Sequence, residues 1–142
     1  EIEYRQNAPV LKNSGFHISL SHSGSYVAAV VSKNPEIGID IEEITPRIEK
    51  IAHRFLSEEE QRYLKPNASL EQLYVIWCAK EALFKLYRKG ELIFSKDILV
   101  DPFDYRDSGV ITATLLPYRD RRKLELHYFK INSYMLVYCA NV

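Results

Sequence analysis

Apolar and polar positions follow a strand-like period at both ends of the chain and a helical period in the middle. Residues 16–21 and 26–32 read as two strands joined by the short turn Ser23-Gly24-Ser25. The second of these is apolar on both faces, which predicts a central place in its sheet. Asn34-Pro35 turns the chain into a third strand, residues 37–42, where Ile37, Ile39 and Ile41 share one face and Gly38, Asp40 and Glu42 the other. The period then changes. Residues 47–55 form a short helical pattern, and Ser57-Glu58-Glu59-Glu60 is a capping box opening a helix through Leu64, closed by Lys65-Pro66. Ser69-Leu70-Glu71-Gln72 is a second capping box and starts the longest helix, which runs to about residue 89 and stops at Gly90. Strands are predicted again at 92–100, 109–116, 122–130 and 134–140, punctuated by Pro102, Pro117 and Asn132-Ser133. An echo links the two ends: residues 16–30 and 128–138 both read as hairpins whose second strand begins Ser-Tyr.

Composition narrows the class. With 46% apolar and 27% charged residues in 142, the chain has enough for one core of ordinary size. The formal net charge of zero gives no bulk attraction to nucleic acid or to an anionic membrane. The apolar runs are far too short to span a bilayer, and no basic-then-apolar leader opens the chain. Cys78 and Cys139 lie far apart without metal-type spacing and read as buried thiols, which suits a reducing cytoplasm.

Two short segments carry the candidate chemistry. Asp40 and Glu42, two apart on a strand, emerge from one face roughly 6.5–7 Å apart at the backbone, so both can reach one cation. The same spacing also fits a polar face turned to solvent. On the long helix, Trp77, Glu81 and Lys85 recur at every fourth residue and share a face with Phe84 and Arg88. Glu81 with Lys85 is either an ordinary helix pair or part of a site. Three carboxylates and a lysine brought together would handle a hard cation and a diphosphate. Ser21 and His22 end a strand, where a ring N–H, a hydroxyl and turn amides can hold a phosphate or merely cap the turn. They point to opposite faces and no Gly-x-Ser-x-Gly elbow exists, so a serine hydrolase is disfavoured. Glu60 is explained by its capping box alone.

The segments Ile18-Ser-Leu-Ser-His-Ser, Ile37-Gly-Ile-Asp-Ile-Glu, Ile51-Ala-His-Arg-Phe-Leu-Ser-Glu-Glu-Glu and Trp77-Cys-Ala-Lys-Glu-Ala-Leu-Phe-Lys together resemble the 4′-phosphopantetheinyl transferases. The order of the blocks, with Ser-His before the Gly-Ile-Asp strand, is similar to the surfactin-synthetase-activating type. The resemblance implies an α+β pseudo-dimer of two similar halves with the site at their junction. Residues 1–35 would then be the terminal hairpin of an incomplete first half, and residues 36–142 the second half.

It also implies the reaction, catalysed by a monomeric cytoplasmic enzyme. A serine of an apo acyl or peptidyl carrier protein attacks the diphosphate of coenzyme A, and adenosine 3′,5′-bisphosphate leaves. On the same resemblance, Asp40, Glu42 and Glu81 match Mg²⁺ ligands, and Lys85 matches the lysine at the diphosphate. Ser21 and His22 match positions that hold coenzyme A phosphates, Lys80 a phosphate or carrier contact, and Glu60 the base for the carrier serine. The chain departs from the family where basic residues are expected ahead of the Ser-His block. It departs again at Arg88-Lys89-Gly90, where Gly-x-Gly is common. The carrier is expected beside the long helix, at Leu83, Phe84 and Leu86 with Lys80, Arg88 and Lys89. A non-catalytic module binding coenzyme A or a carrier, and a Mg²⁺-dependent phosphohydrolase, are the competing readings.

Overall fold

The computed structural model describes residues 1–117 and 119–140. Among the described residues the chain runs β1 (Ile2–Arg5), β2 (Ala8–Leu11), β3 (His17–Ser23), β4 (Tyr26–Ser32) and β5 (Ile37–Glu43). Helices α1 (Ile48–Phe55), α2 (Glu58–Tyr63), α3 (Leu70–Tyr87) and α4 (Phe94–Asp97) follow, then β6 (Ile98–Val100), β7 (Ser108–Leu115), β8 (Arg122–Ile131) and β9 (Tyr134–Ala140). The mixed class expected from the sequence is therefore present. Residues 141 and 142, at the end of the expected second half, lie outside the described residues.

The main sheet is antiparallel in the order β5-β9-β8-β7-β6, so the strand bearing Asp40 lies at its edge, beside the last strand of the chain. Helix α3 covers one face, and its Val75, Ile76, Ala79, Ala82 and Leu83 join Ile98, Ala113, Leu126 and Val137 in the larger core. Both capping boxes form: Ser57 with Glu60 opens α2, and Ser69 with Gln72 opens α3. Helix and strand close tightly at Gly38. A Cβ there would collide with the Ala82 carbonyl, so glycine is what lets the helix backbone rest on β5.

Strands β3 and β4 form a separate hairpin that reaches β5 by an unusual route. The hydroxyls of Ser19, Ser21 and Ser23 accept hydrogen bonds from the backbone N–H of Ile39, Ile41 and Glu43 at 3.2, 3.0 and 3.2 Å. Side-chain oxygens thus stand where a neighbouring strand's carbonyls would, and satisfy the free donors of the β5 edge. On the other face of β5, Ala28 packs with Ile39, Ile41, Tyr134 and Leu136 in a smaller core. The two Ser-Tyr hairpins meet there. The Tyr26 and Tyr134 rings lie 4.7 Å apart; the Ser25 N–H donates to the Tyr134 hydroxyl, and Asn132 Nδ2 to the Tyr26 hydroxyl.

Several expectations are corrected. β4 is not central: it pairs with β3 alone, and Val27 is 79% exposed, because the outer face of this hairpin has no covering layer among the described residues. The expected strand at 92–100 begins as the short α4 and is extended only from Ile98. Helix α3 ends at Tyr87, before Gly90, because Arg88 itself takes the left-handed capping conformation at φ 48°. The β1–β2 hairpin was not foreseen. Its turn, Gln6-Asn7, has both residues at positive φ and lacks the glycine that usually signals such a turn.

Candidate active site

The site is built where α3 crosses β3 and β5. Lys85 reaches out of the helix and donates to the carbonyls of Leu20 and Ile39 at 3.0 and 2.8 Å, and to Asp40 Oδ1 at 3.4 Å. Ser21 Oγ donates to the same Asp40 oxygen at 3.0 Å while accepting from the Ile41 N–H. Asp40 Oδ2 is buried with no hydrogen-bond partner. The neighbouring Cys78 thiol interacts with this carboxyl and also lies 3.8 Å from the Met135 carbonyl, so the two share one weak donor.

Asp40, Glu42 and Glu81 lie near enough for their charges to act on one another. Burial raises the pKa of Asp40 above the ordinary carboxylate value, against the pull of Lys85 and Ser21. Glu42 is pushed up to about 7 by burial and then by the charge of Asp40. Glu81 is pushed up to about 7 by burial, by Asp40 and by Glu42. Burial also drives the Cys78 thiol well above its usual value, assisted by Asp40 and Glu42.

Asp40, Glu42 and Glu81 offer hard oxygen donors that repel one another, the donor chemistry a divalent cation takes. Lys85 offsets only part of the charge. Among the described residues, no three His, Cys, Asp or Glu side chains are drawn in closely enough to hold an ion as they stand.

Beyond Lys85 a cleft of about 850 Å³ opens between α3, β3 and the β1–β2 turn. His22, exposed at the end of β3, lines it with Lys85, Arg88, Phe84 and Arg5. Ser21 also borders it, but its hydroxyl is committed to Asp40 and Ile41.

Two expected site residues lie elsewhere. Lys80 and Glu60 are both 0% exposed and pair at 2.7 Å. Lys80 Nζ also donates to the carbonyls of Phe55 and Phe94 at 2.6 and 2.8 Å. Glu60 accepts from the N–H groups of Ser57 and Val100 through its two oxygens. Lys80, expected as a phosphate or carrier contact, and Glu60, expected as a base, have every polar atom hydrogen-bonded inside the core. Burial lowers the Lys80 pKa, and Glu60 holds it up. Of the expected docking residues, Leu83 and Leu86 are also core, whereas Phe84 is 42% exposed and Arg88 and Lys89 lie at the surface.

What residue spacing could not find is the serine ladder and the β1–β2 wall of the cleft. The alternation Ser19-x-Ser21-x-Ser23 was its one visible trace.

The sequence model described as the 4′-phosphopantetheinyl transferase superfamily matches residues 36–139, and the chain belongs to that family. The chain is 44% identical over 86 residues to the 4′-phosphopantetheinyl transferase psf-1 of Bacillus pumilus, covering 58% of this chain and 36% of that protein. It is 38% identical over 104 residues to a 4′-phosphopantetheinyl transferase of Bacillus subtilis, covering 70% and 44%. The 4′-phosphopantetheinyl transferase AcpT of Escherichia coli K12 is 38% identical over 72 residues, covering 47% and 37%. The chain thus spans less than half the length of these curated relatives. No helix among the described residues is long and apolar enough to cross a membrane.

Proposed function

We infer that this chain carries the catalytic portion of an enzyme that transfers 4′-phosphopantetheine from coenzyme A to a serine of an apo acyl or peptidyl carrier protein. The observation behind this is the Lys85–Asp40–Ser21 constellation, with Glu42 and Glu81 in the same field, opening on the basic cleft. Asp40, Glu42 and Glu81 would hold Mg²⁺. Bound there, the ion would neutralise charge on the diphosphate as the bond to the leaving group weakens.

The chain's own residues do the rest. Ser21 fixes the Asp40 carboxylate through one oxygen and leaves the other free. Lys85 stands at the border of carboxylates and cleft, placed to exchange its contact with Asp40 for a phosphate oxygen. His22 offers a ring N–H on the cleft side. The serine of the carrier gives up its proton to water and attacks the phosphorus next to the pantetheine, its oxygen forms the new ester, and adenosine 3′,5′-bisphosphate departs with the displaced oxygen. Glu60 and Lys80 position α2 and α3 through their buried pair. The cytoplasm is the compartment that holds both substrates and suits the two free thiols.

The test is the intact mass of an apo carrier incubated with this chain, coenzyme A and Mg²⁺, beside an EDTA control. A metal-dependent gain of one phosphopantetheine group is the expected result. One observation favours a second reading, a module that binds coenzyme A or a carrier without turnover: the carboxylates are not gathered onto a single point. Binding of coenzyme A without any mass gain across several carriers would select that reading.

A further inference from the structure

The cleft carries a charge that the chain as a whole lacks. Formal net charge is zero, yet the lining holds Arg5, Lys85, Arg88 and His22 and no acidic residue. The three cations are not equivalent. Arg5 is exposed and pairs with Glu3 at 3.4 Å, and Lys85 is turned toward Asp40. Arg88 is held in place without an acidic partner among the described residues. As the C-cap of α3 it sits at φ 48° and ψ 15°, a conformation in which glycine is the least strained residue. A long side chain kept at such a position points to a use for that side chain.

Its geometry shows what the use is. Arg88 Nε donates to the Lys85 carbonyl at 3.0 Å, and Nη2 to the Ile18 carbonyl of β3 at 3.2 Å. These two bonds fix the guanidinium across the gap between helix and hairpin. Among the described residues Nη1 has no partner. A planar donor, pre-oriented at the wall of a cleft without acids, suits a phosphate oxygen. Position along β3 then distinguishes it from Lys85. Asp40 is bound at Ser21, Lys85 at the Leu20 carbonyl and Arg88 at the Ile18 carbonyl, roughly 6.5 Å further from the carboxylates.

We propose that Arg88 is a further substrate-binding residue, which holds the phosphomonoester on the ribose of the coenzyme while Lys85 attends the diphosphate. The proposal rests on the coenzyme reading above.

The test is calorimetric titration of the whole chain, in EDTA, with coenzyme A and with dephospho-coenzyme A, for the parent, Arg88→Gly and Arg88→Lys. Glycine suits the left-handed backbone, so Arg88→Gly keeps the fold and its melting temperature. It weakens coenzyme A about tenfold or more and dephospho-coenzyme A by less than about twofold. Arg88→Lys falls between, since a point charge replaces a planar donor. Equal losses for both ligands, or no loss for either, overturn the assignment. A parent chain that binds neither ligand overturns the coenzyme reading and this proposal together. A parent that binds coenzyme A as well as Arg88→Gly does overturns the proposal alone.

Discussion

Helix α3 contributes the lysines of two lysine–carboxylate pairs, five residues apart, and the pairs differ in what is left over. Lys80 and Glu60 are fully buried, and together they satisfy three carbonyl or carboxylate acceptors and two backbone N–H groups. Lys85 and Asp40 are also paired, but the contact is longer, Lys85 is partly open, and one Asp40 oxygen is buried without a partner. Saturation makes the first pair a structural joint between α1, α2, α3, α4 and β6. Incompleteness leaves the second pair with an acceptor still to be satisfied, which is why the proposed cation and phosphate are assigned to it. Proximity in sequence, identical residue classes and a shared helix do not distinguish them. The count of unsatisfied atoms does.

The largest effect is expected from breaking the saturated pair. Lys80→Met strands the Glu60 charge in the core and costs about 3–5 kcal/mol, read as a lower urea midpoint. Adding Glu60→Gln removes that charge and recovers more than half of the loss. An unchanged midpoint for Lys80→Met would mean that the joint is not what holds α2 to the core.

Asp40→Asn sharpens the contrast from the other side. It keeps the shape and the Ser21 contact but removes the charge, so carrier modification falls on the order of 100-fold or more. Its melting temperature in EDTA at pH 8 stays level or rises, because Glu42 and Glu81 lose their repelling neighbour. A large fall in stability would make Asp40 a structural residue like Glu60.

Next comes pH. Glu42 and Glu81 stand at about 7 in the folded chain against 4.5 ordinarily. A carboxyl whose folded value is raised favours the folded state when protonated. This contribution is full below about 4.5 and is lost as pH rises through about 7. The metal-free chain therefore melts lower at about pH 8 than at about pH 5.5, and Mg²⁺ restores the difference at the higher pH only. A melting temperature rising over that interval in EDTA would count against the shared field.

The smallest effects separate rungs of the serine ladder. Ser19→Ala and Ser21→Ala each orphan one backbone N–H of β5, at a cost of about 1–2 kcal/mol. Only Ser21→Ala also slows carrier modification, since Ser21 alone among the two touches Asp40. Equal activity in both variants would detach the ladder from the site.

Local rules were enough for much of this protein. Residue order and period specify the Asp40 strand, both capped helices and the closing β7–β9 meander, because capping boxes and alternation act over four to ten neighbours. They also single out Asp40, Glu42, Glu81 and Lys85, since periods of two and four place those groups on single faces. The fate of Lys80 and Glu60 was beyond such rules: a capping glutamate and a helical lysine look the same whether solvent or a carbonyl cage surrounds them. The same holds for the exposure of β4, for Arg88 as the true end of α3, and for Ser21 as a partner of Asp40. Each depends on what arrives from nineteen or more residues away, and burial, which sets the worth of every charge, is a property of that arrival.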